Sequence, residues 1–251
     1  MKKIFYFLLA IIAVSCSETS TDNVSKVTNY PLLTFNGDET MFVPLGSDFT
    51  DPGIIATEGG NTIPYTTVVG AGKYKGEKNI NTDVVDEYSI TYSAKNKDDF
   101  SGSITRKVIV YKTGDLVNSI EGVYISTVTR NGSLLNPAQG SSEDMEYVYI
   151  WKNTDNTYEV SDAFGGWYDI GRDFGAVGAT PGGTISGDIP SNNFTFPGNP
   201  LANSNFGGTA NITALNVNPT TKVITLNCTW ITEDDPPSTY SFISTLEQVQ
   251  P

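Results

Sequence analysis

The densest concentration of side chains able to grip a small polar molecule is Phe164-Gly165-Gly166-Trp167-Tyr168-Asp169-Ile170-Gly171-Arg172-Asp173-Phe174-Gly175. Phe164, Trp167 and Tyr168 offer flat apolar faces, and Asp169, Arg172 and Asp173 offer charged groups that orient a polar edge. That mixture suits a sugar ring or a peptide, so these six are the candidate ligand-binding residues. The competing reading has Trp167 and its neighbours filling the end of a small β core. A third has Asp169 and Asp173 as the paired carboxylates of a glycoside hydrolase, though nothing in the sequence sets the separation such a pair requires. No catalytic residue is assigned.

The composition removes most other chemistry. Histidine is absent from the 251 residues, which excludes Ser-His-Asp and Cys-His catalysis and histidine-ligated zinc. Cys228 alternates with Ile224, Leu226 and Trp230 on one strand face, an apolar setting that raises a thiol pKa and argues against a nucleophile. Asp48, Asp51 and Glu58, and Asn153 with Asp155, lack the spacing of a calcium loop and are read as turn formers, so neither a metal nor a cofactor is expected. With 15 Lys+Arg against 28 Asp+Glu the net charge is -13, which repels a phosphate backbone and excludes nucleic-acid partners.

At the amino terminus, Lys2 and Lys3 precede an unbroken apolar run from Ile4 to Val14, then Ser15 and Cys16. This is the three-part pattern of an export signal, and eleven apolar residues are too few for a membrane span. Ala13-Val14-Ser15-Cys16 resembles the lipobox of bacterial lipoproteins, with Ala13 where Leu is usual. The resemblance implies that residues 1–15 are a signal peptide, that Cys16 carries acyl chains, and that the chain is held on the outer membrane, facing the exterior, without a transmembrane helix. The remaining Cys228 then has no intramolecular disulfide partner. Residues 16–29 are rich in Ser, Thr, Asn and acidic side chains, the composition of a solvated tether.

Strand patterning fills the rest. Tyr88, Ile90, Tyr92 and Ala94 alternate with polar residues, so Val84 to Ala94 reads as a strand. After the polar stretch from Lys95 to Gly102, Ser103 to Tyr111 completes a hairpin. The run Gly46-Ser47-Asp48-Phe49-Thr50-Asp51-Pro52-Gly53 with Ala56, the strand Asp86-Glu87-Tyr88-Ser89-Ile90-Thr91-Tyr92, and Arg106-Lys107-Val108-Ile109-Val110 together resemble the bacterial surface Ig-like domain, also found in insecticidal crystal toxins. Residues 30–112 are therefore expected to form an Ig-like β-sandwich acting as a spacer or adhesion module.

Residues 116–251 read as a second all-β domain of about eight strands, a sandwich or partly closed barrel. Gly122 to Val128, a hairpin of Glu146–Lys152 and Thr157–Val160 around Asn153–Asn156, Thr209 to Val217, the Ile224–Trp230 run and Ser238 to Val249 supply strands. Tyr147, Tyr149 and Trp151 share one face of theirs, leaving either an exposed aromatic platform or a face covered by something else. From Ser161 to Gly208 the pattern dissolves into Gly, Asn, Pro and Ser with interspersed aromatics, a length that points to function.

The Gly-Gly-Trp-Tyr-Asp-x-Gly-Arg motif behind an Ig-like module and a lipobox resembles the two-domain lipoproteins of Bacteroidetes nutrient-utilisation loci. That resemblance implies a non-catalytic surface lipoprotein that binds glycan beside an outer-membrane importer and its lipoprotein partner. An oligopeptide-binding or protein-docking adhesion subunit is the alternative.

Overall fold

The computed structural model describes residues 27–135 and 145–251. The export signal, Cys16 and most of the tether lie outside the described residues. The chain is all-β, as its alternation requires.

In the N-terminal unit, β1 (Leu32–Phe35), β3 (Ile54–Glu58) and β4 (Asn61–Thr62) make one sheet. β2 (Thr40–Pro44), β7 (Ser101–Tyr111), β6 (Asp86–Lys95) and β5 (Tyr65–Val69) make the other, in that order. β6 and β7 form the expected hairpin, registered from Asp86 opposite Val110 to Lys95 opposite Ser101. Tyr88, Ile90, Tyr92 and Ala94 all point inward and meet Val43, Ile54, Ala56, Val108 and Val110 in the sandwich core.

The C-terminal unit wraps one ten-stranded sheet around a single core. Its strands are β8 (Gly122–Arg130), β9 (Ser133–Leu134), β10 (Met145–Lys152), β11 (Tyr158–Val160), β12 (Gly182–Asp188), β13 (Asn193–Thr195), β14 (Leu201–Ala202), β15 (Thr209–Asn218), β16 (Val223–Ile231) and β17 (Thr239–Gln248). Their order is β13-β12-β11-β10-β8-β17-β16-β15-β14, with β9 on β8. The strands beyond those the sequence named are the two-residue β9 and, inside the 161–208 region, the brief β13 and β14 and the glycine-rich β12, whose glycines interrupt the period-two signature.

The sheet is a half-barrel whose β15 edge is finished by side chains. β14 pairs only with Thr209 and Ala210. Beyond it, the Asn199 amide donates to the Ile212 carbonyl at 2.7 Å and accepts from the Ile212 N–H at 3.0 Å. Asn192 does the same for Val217, at 3.1 and 2.7 Å. Each amide substitutes for a peptide unit of a missing neighbour strand, so backbone groups that would otherwise lack partners are satisfied.

The two units share a third core. Tyr147 and Tyr149 on β10 and Val123 on β8 bury against Ile109 of β7, with Phe42, Tyr74, Val85 and Trp151 packed around them. The aromatic face of β10 is thus covered by the Ig-like unit and is no open platform. Edge-on rings dominate the seam, including Phe42 to Tyr147 at 5.7 Å and Tyr74 to Trp151 at 5.6 Å, the geometry aromatic quadrupoles favour. Polar tips find partners there too: the Trp151 indole N–H donates to the Val85 carbonyl at 2.9 Å, and the Tyr149 hydroxyl to Glu87 at 3.1 Å.

Candidate functional site

The sequence motif folds as one tight device. Gly165 and Gly166 both sit at positive φ, 67° and 84°, and a Cβ on Gly165 would overlap Ser244 and Val128; only glycine meets both demands. The chain then closes a π-helical turn, Trp167–Gly171, in which the N–H groups of Ile170 and Gly171 donate to the Gly166 carbonyl at 2.8 and 3.0 Å. The fully buried Asp162 carboxylate organises the approach, accepting from the N–H groups of Phe164, Gly166 and Thr180, each at 3.0 Å.

This turn sends the six candidate residues in different directions. Phe164, 0% exposed, stacks on Phe242 with ring centroids 4.6 Å apart. Trp167, 5% exposed, also joins the core. Asp169 is buried against the Ig-like unit, where it accepts from the Tyr74 hydroxyl at 2.9 Å and pairs with Lys73 at 3.1 Å. Arg172 and Asp173 are exposed, with Arg172 6.0 Å from the Trp167 ring centroid. Tyr168 is half-buried and faces a group of rings that the motif alone does not contain.

Around Tyr168 lie Phe206 at 4.7 Å, Trp230 at 6.0 Å and, continuing outward, Tyr240 stacked on Trp230 at 5.6 Å and Phe174 edge-on to Phe206 at 5.3 Å. Arg130 completes the group: its guanidinium donates to the Tyr168 hydroxyl at 3.3 Å and lies 5.3 Å from the Tyr240 ring. The Trp230 indole N–H is spent on the Gly207 carbonyl at 3.0 Å, so Trp230 is the floor. Phe174 is 44% exposed, and Phe206 and Tyr240 are half-buried. The result is an aromatic basin edged by a cation, able to cover the apolar face of a ring and hydrogen-bond its rim.

Arg130 and Tyr240 were not singled out by the sequence. Their signal was positional: each sits at the end of a strand, and Tyr240 faces Trp230 across β16 and β17. Burial pushes the Cys228 thiol up to about 12, removing it from nucleophilic chemistry near neutrality. Among the described residues no group of three or more His, Cys, Asp or Glu side chains could hold a metal ion, and no helix is long and apolar enough to cross a membrane.

An Ig-like sandwich fused to a half-barrel with an aromatic basin defines a two-domain all-β architecture. Comparison with known families gives the same two pieces. The Ig-like domain of bacterial surface proteins matches residues 33–110, and a family C-terminal domain matches residues 113–248. That second match spans more than half of the chain, which therefore belongs to the BT2262-like family, with an Ig-like N-terminal domain and a C-terminal β-domain. Among solved structures, the chain is similar to the lipoprotein BT2262 from Bacteroides thetaiotaomicron at 22% identity and a TM-score of 0.56, over 87% of this chain and 100% of that one. No curated protein matches the chain.

Proposed function

We propose that the protein is a lipid-anchored outer-membrane lipoprotein that captures glycans without transforming them and works beside an outer-membrane importer and its lipoprotein partner. In this reading residues 1–15 are the export signal, Cys16 bears the acyl chains, residues 16–29 form the tether, residues 30–112 the spacer and residues 116–251 the capturing domain. The lipobox and the description of the similar BT2262 chain as a lipoprotein support the anchoring. The observation that carries the binding role is the basin of Tyr168, Phe206, Tyr240 and Phe174 rimmed by Arg130.

Trp167 is too deep to serve as the probe, because truncating it leaves a cavity costing about 3–5 kcal/mol. Tyr240 is the better choice. The chain from residue 16 onward is expected to bind members of a soluble neutral oligosaccharide pool by calorimetry, and Tyr240→Ala to weaken that binding about tenfold or more with little change in melting temperature. Binding confined to an oligopeptide pool would transfer the basin to peptide capture. Substrate turnover lost in Asp169→Asn or Asp173→Asn would replace capture with hydrolysis.

A further inference from the structure

The chain enters the Ig-like unit at one end of its sandwich, and that end carries apolar side chains open to solvent. Val27, Tyr30 and Leu32 are 78%, 64% and 66% exposed. Phe100, at the tip of the β6–β7 hairpin, joins them with its ring centroid 5.1 Å from that of Tyr30. Pro31 and Leu33 lie against Gly102 at the start of β7, which keeps Leu32 beside the same tip. These residues form one patch, whereas single exposed apolar residues would need no explanation. The Tyr30 hydroxyl makes no hydrogen bond among the described residues.

Charge around the patch is muted, although the whole chain carries -13. Lys97 pairs with Glu58 at 3.5 Å and Lys95 with Asp99 at 3.1 Å, while the Asp98 carboxylate accepts from the Thr28 hydroxyl at 3.3 Å. Carboxylates that would repel an acidic headgroup are thus answered. The patch also sits far from the second unit. β7 runs from Ser101 beside it to Tyr111, and Ile109 near the far end belongs to the shared seam. At strand rise the two ends of β7 are about 30 Å apart.

Cys16 precedes Val27 by eleven residues, a reach of at most about 40 Å when fully extended. Acyl chains at Cys16 would hold this patch near lipid at high effective concentration, where a modest apolar contact suffices. Tyrosine, with an apolar ring and a wet hydroxyl, suits the boundary between headgroups and acyl chains, and Leu and Phe supply the part that enters it.

We propose that this end of the Ig-like unit seats on the lipid surface, with Tyr30, Leu32 and Phe100 at the headgroup boundary and β7 standing the second unit off the membrane. The inference rests on the reading that Cys16 is acylated, and adds an orientation that an anchor alone does not set. Its test is tryptophan fluorescence of the acylated chain from Cys16 onward in phosphatidylcholine vesicles, with and without brominated acyl chains. Phe100→Trp reports on the patch, and Ile243→Trp, at an exposed position of β17, serves as control.

Brominated lipid should remove about half or more of the emission added at position 100, as expected for a side chain at that depth, and leave the emission added at position 243 unchanged. Adding Tyr30→Ser and Leu32→Ser to Phe100→Trp should abolish the quenching. Quenching that survives this change would reflect the nearness of the anchor alone and overturn the proposal, as would equal quenching at both positions. A vesicle-bound chain with no quenching at position 100 would also overturn it, leaving the anchoring reading intact and the patch for a protein surface. A chain that does not float with the vesicles would remove both.

Discussion

Arg106 is 0% exposed yet fully answered. Its guanidinium donates to the carbonyls of Asp38, Asn36 and Gly53, to the Tyr92 hydroxyl and to the Asp51 carboxylate, and it lies against the Phe35 ring at 5.1 Å. A buried charge survives only with such pairing. The sequence marked Arg106 as the head of a strand motif, but its partners other than Tyr92 come from turns about 50 to 70 residues upstream, and long-range partners leave no local trace. Asp162 is the opposite case. Burial pushes its carboxyl up to about 7, with Asp169 adding to the rise, while the N–H groups of Phe164, Thr180 and Gly166 pull it down. The folded chain therefore keeps a proton that the unfolded chain has lost above about pH 4. Through this group stability is greatest in acid and declines as pH rises through about 7, with no further loss above. Urea midpoints measured at about pH 5 and about pH 8 should show that decline, and Asp162→Asn, which cannot ionise, should shrink it. An undiminished decline in the variant would assign it to other groups.

Among the elements, strands were legible and their partners were not. The β6–β7 and β10–β11 hairpins follow from alternation and polar turns, and Cys228 and Trp230 fall on the buried face their spacing dictates. The aromatic strip of β10 left two readings open because periodicity reports a face, not what lies against it. Here the cover is the Ig-like unit, with Tyr74 reaching from the connection between β5 and β6 to Tyr149, Trp151 and Asp169. The π-helical turn was equally opaque, since five residues carry too little pattern to reveal that neighbours Tyr168 and Asp169 serve opposite sides. Tyr74 and Asp169 should be energetically coupled as a result. A double-mutant cycle of Tyr74→Phe and Asp169→Asn, followed by chemical denaturation, is expected to give an interaction energy of about 1–3 kcal/mol; additivity would show that the contact contributes nothing to holding the units together.

For the whole molecule, the joint is as restrained as the seam. Gly114 donates to the Glu121 carbonyl at 2.7 Å and accepts from the Gln248 side chain at 3.0 Å, while Lys112 pairs with Glu121. The shortness of the joint was visible in the sequence; the shared core that immobilises it was not, because it needs the distant Phe42 and Ile109. Thermal unfolding followed by near-ultraviolet and far-ultraviolet circular dichroism should consequently give one coincident transition, and two separated transitions would show the domains to be independent.

Asn192 and Asn199 have a further consequence. An unfinished strand at the rim of a sheet invites a neighbouring molecule to add one of its own, the first step of runaway stacking. By occupying the peptide groups of Ile212 and Val217, these two amides block β15 at two points where a passing copy would have to pair. Crowding many such molecules together then meets two side chains already seated along that rim, which disfavours joining one half-barrel to the next.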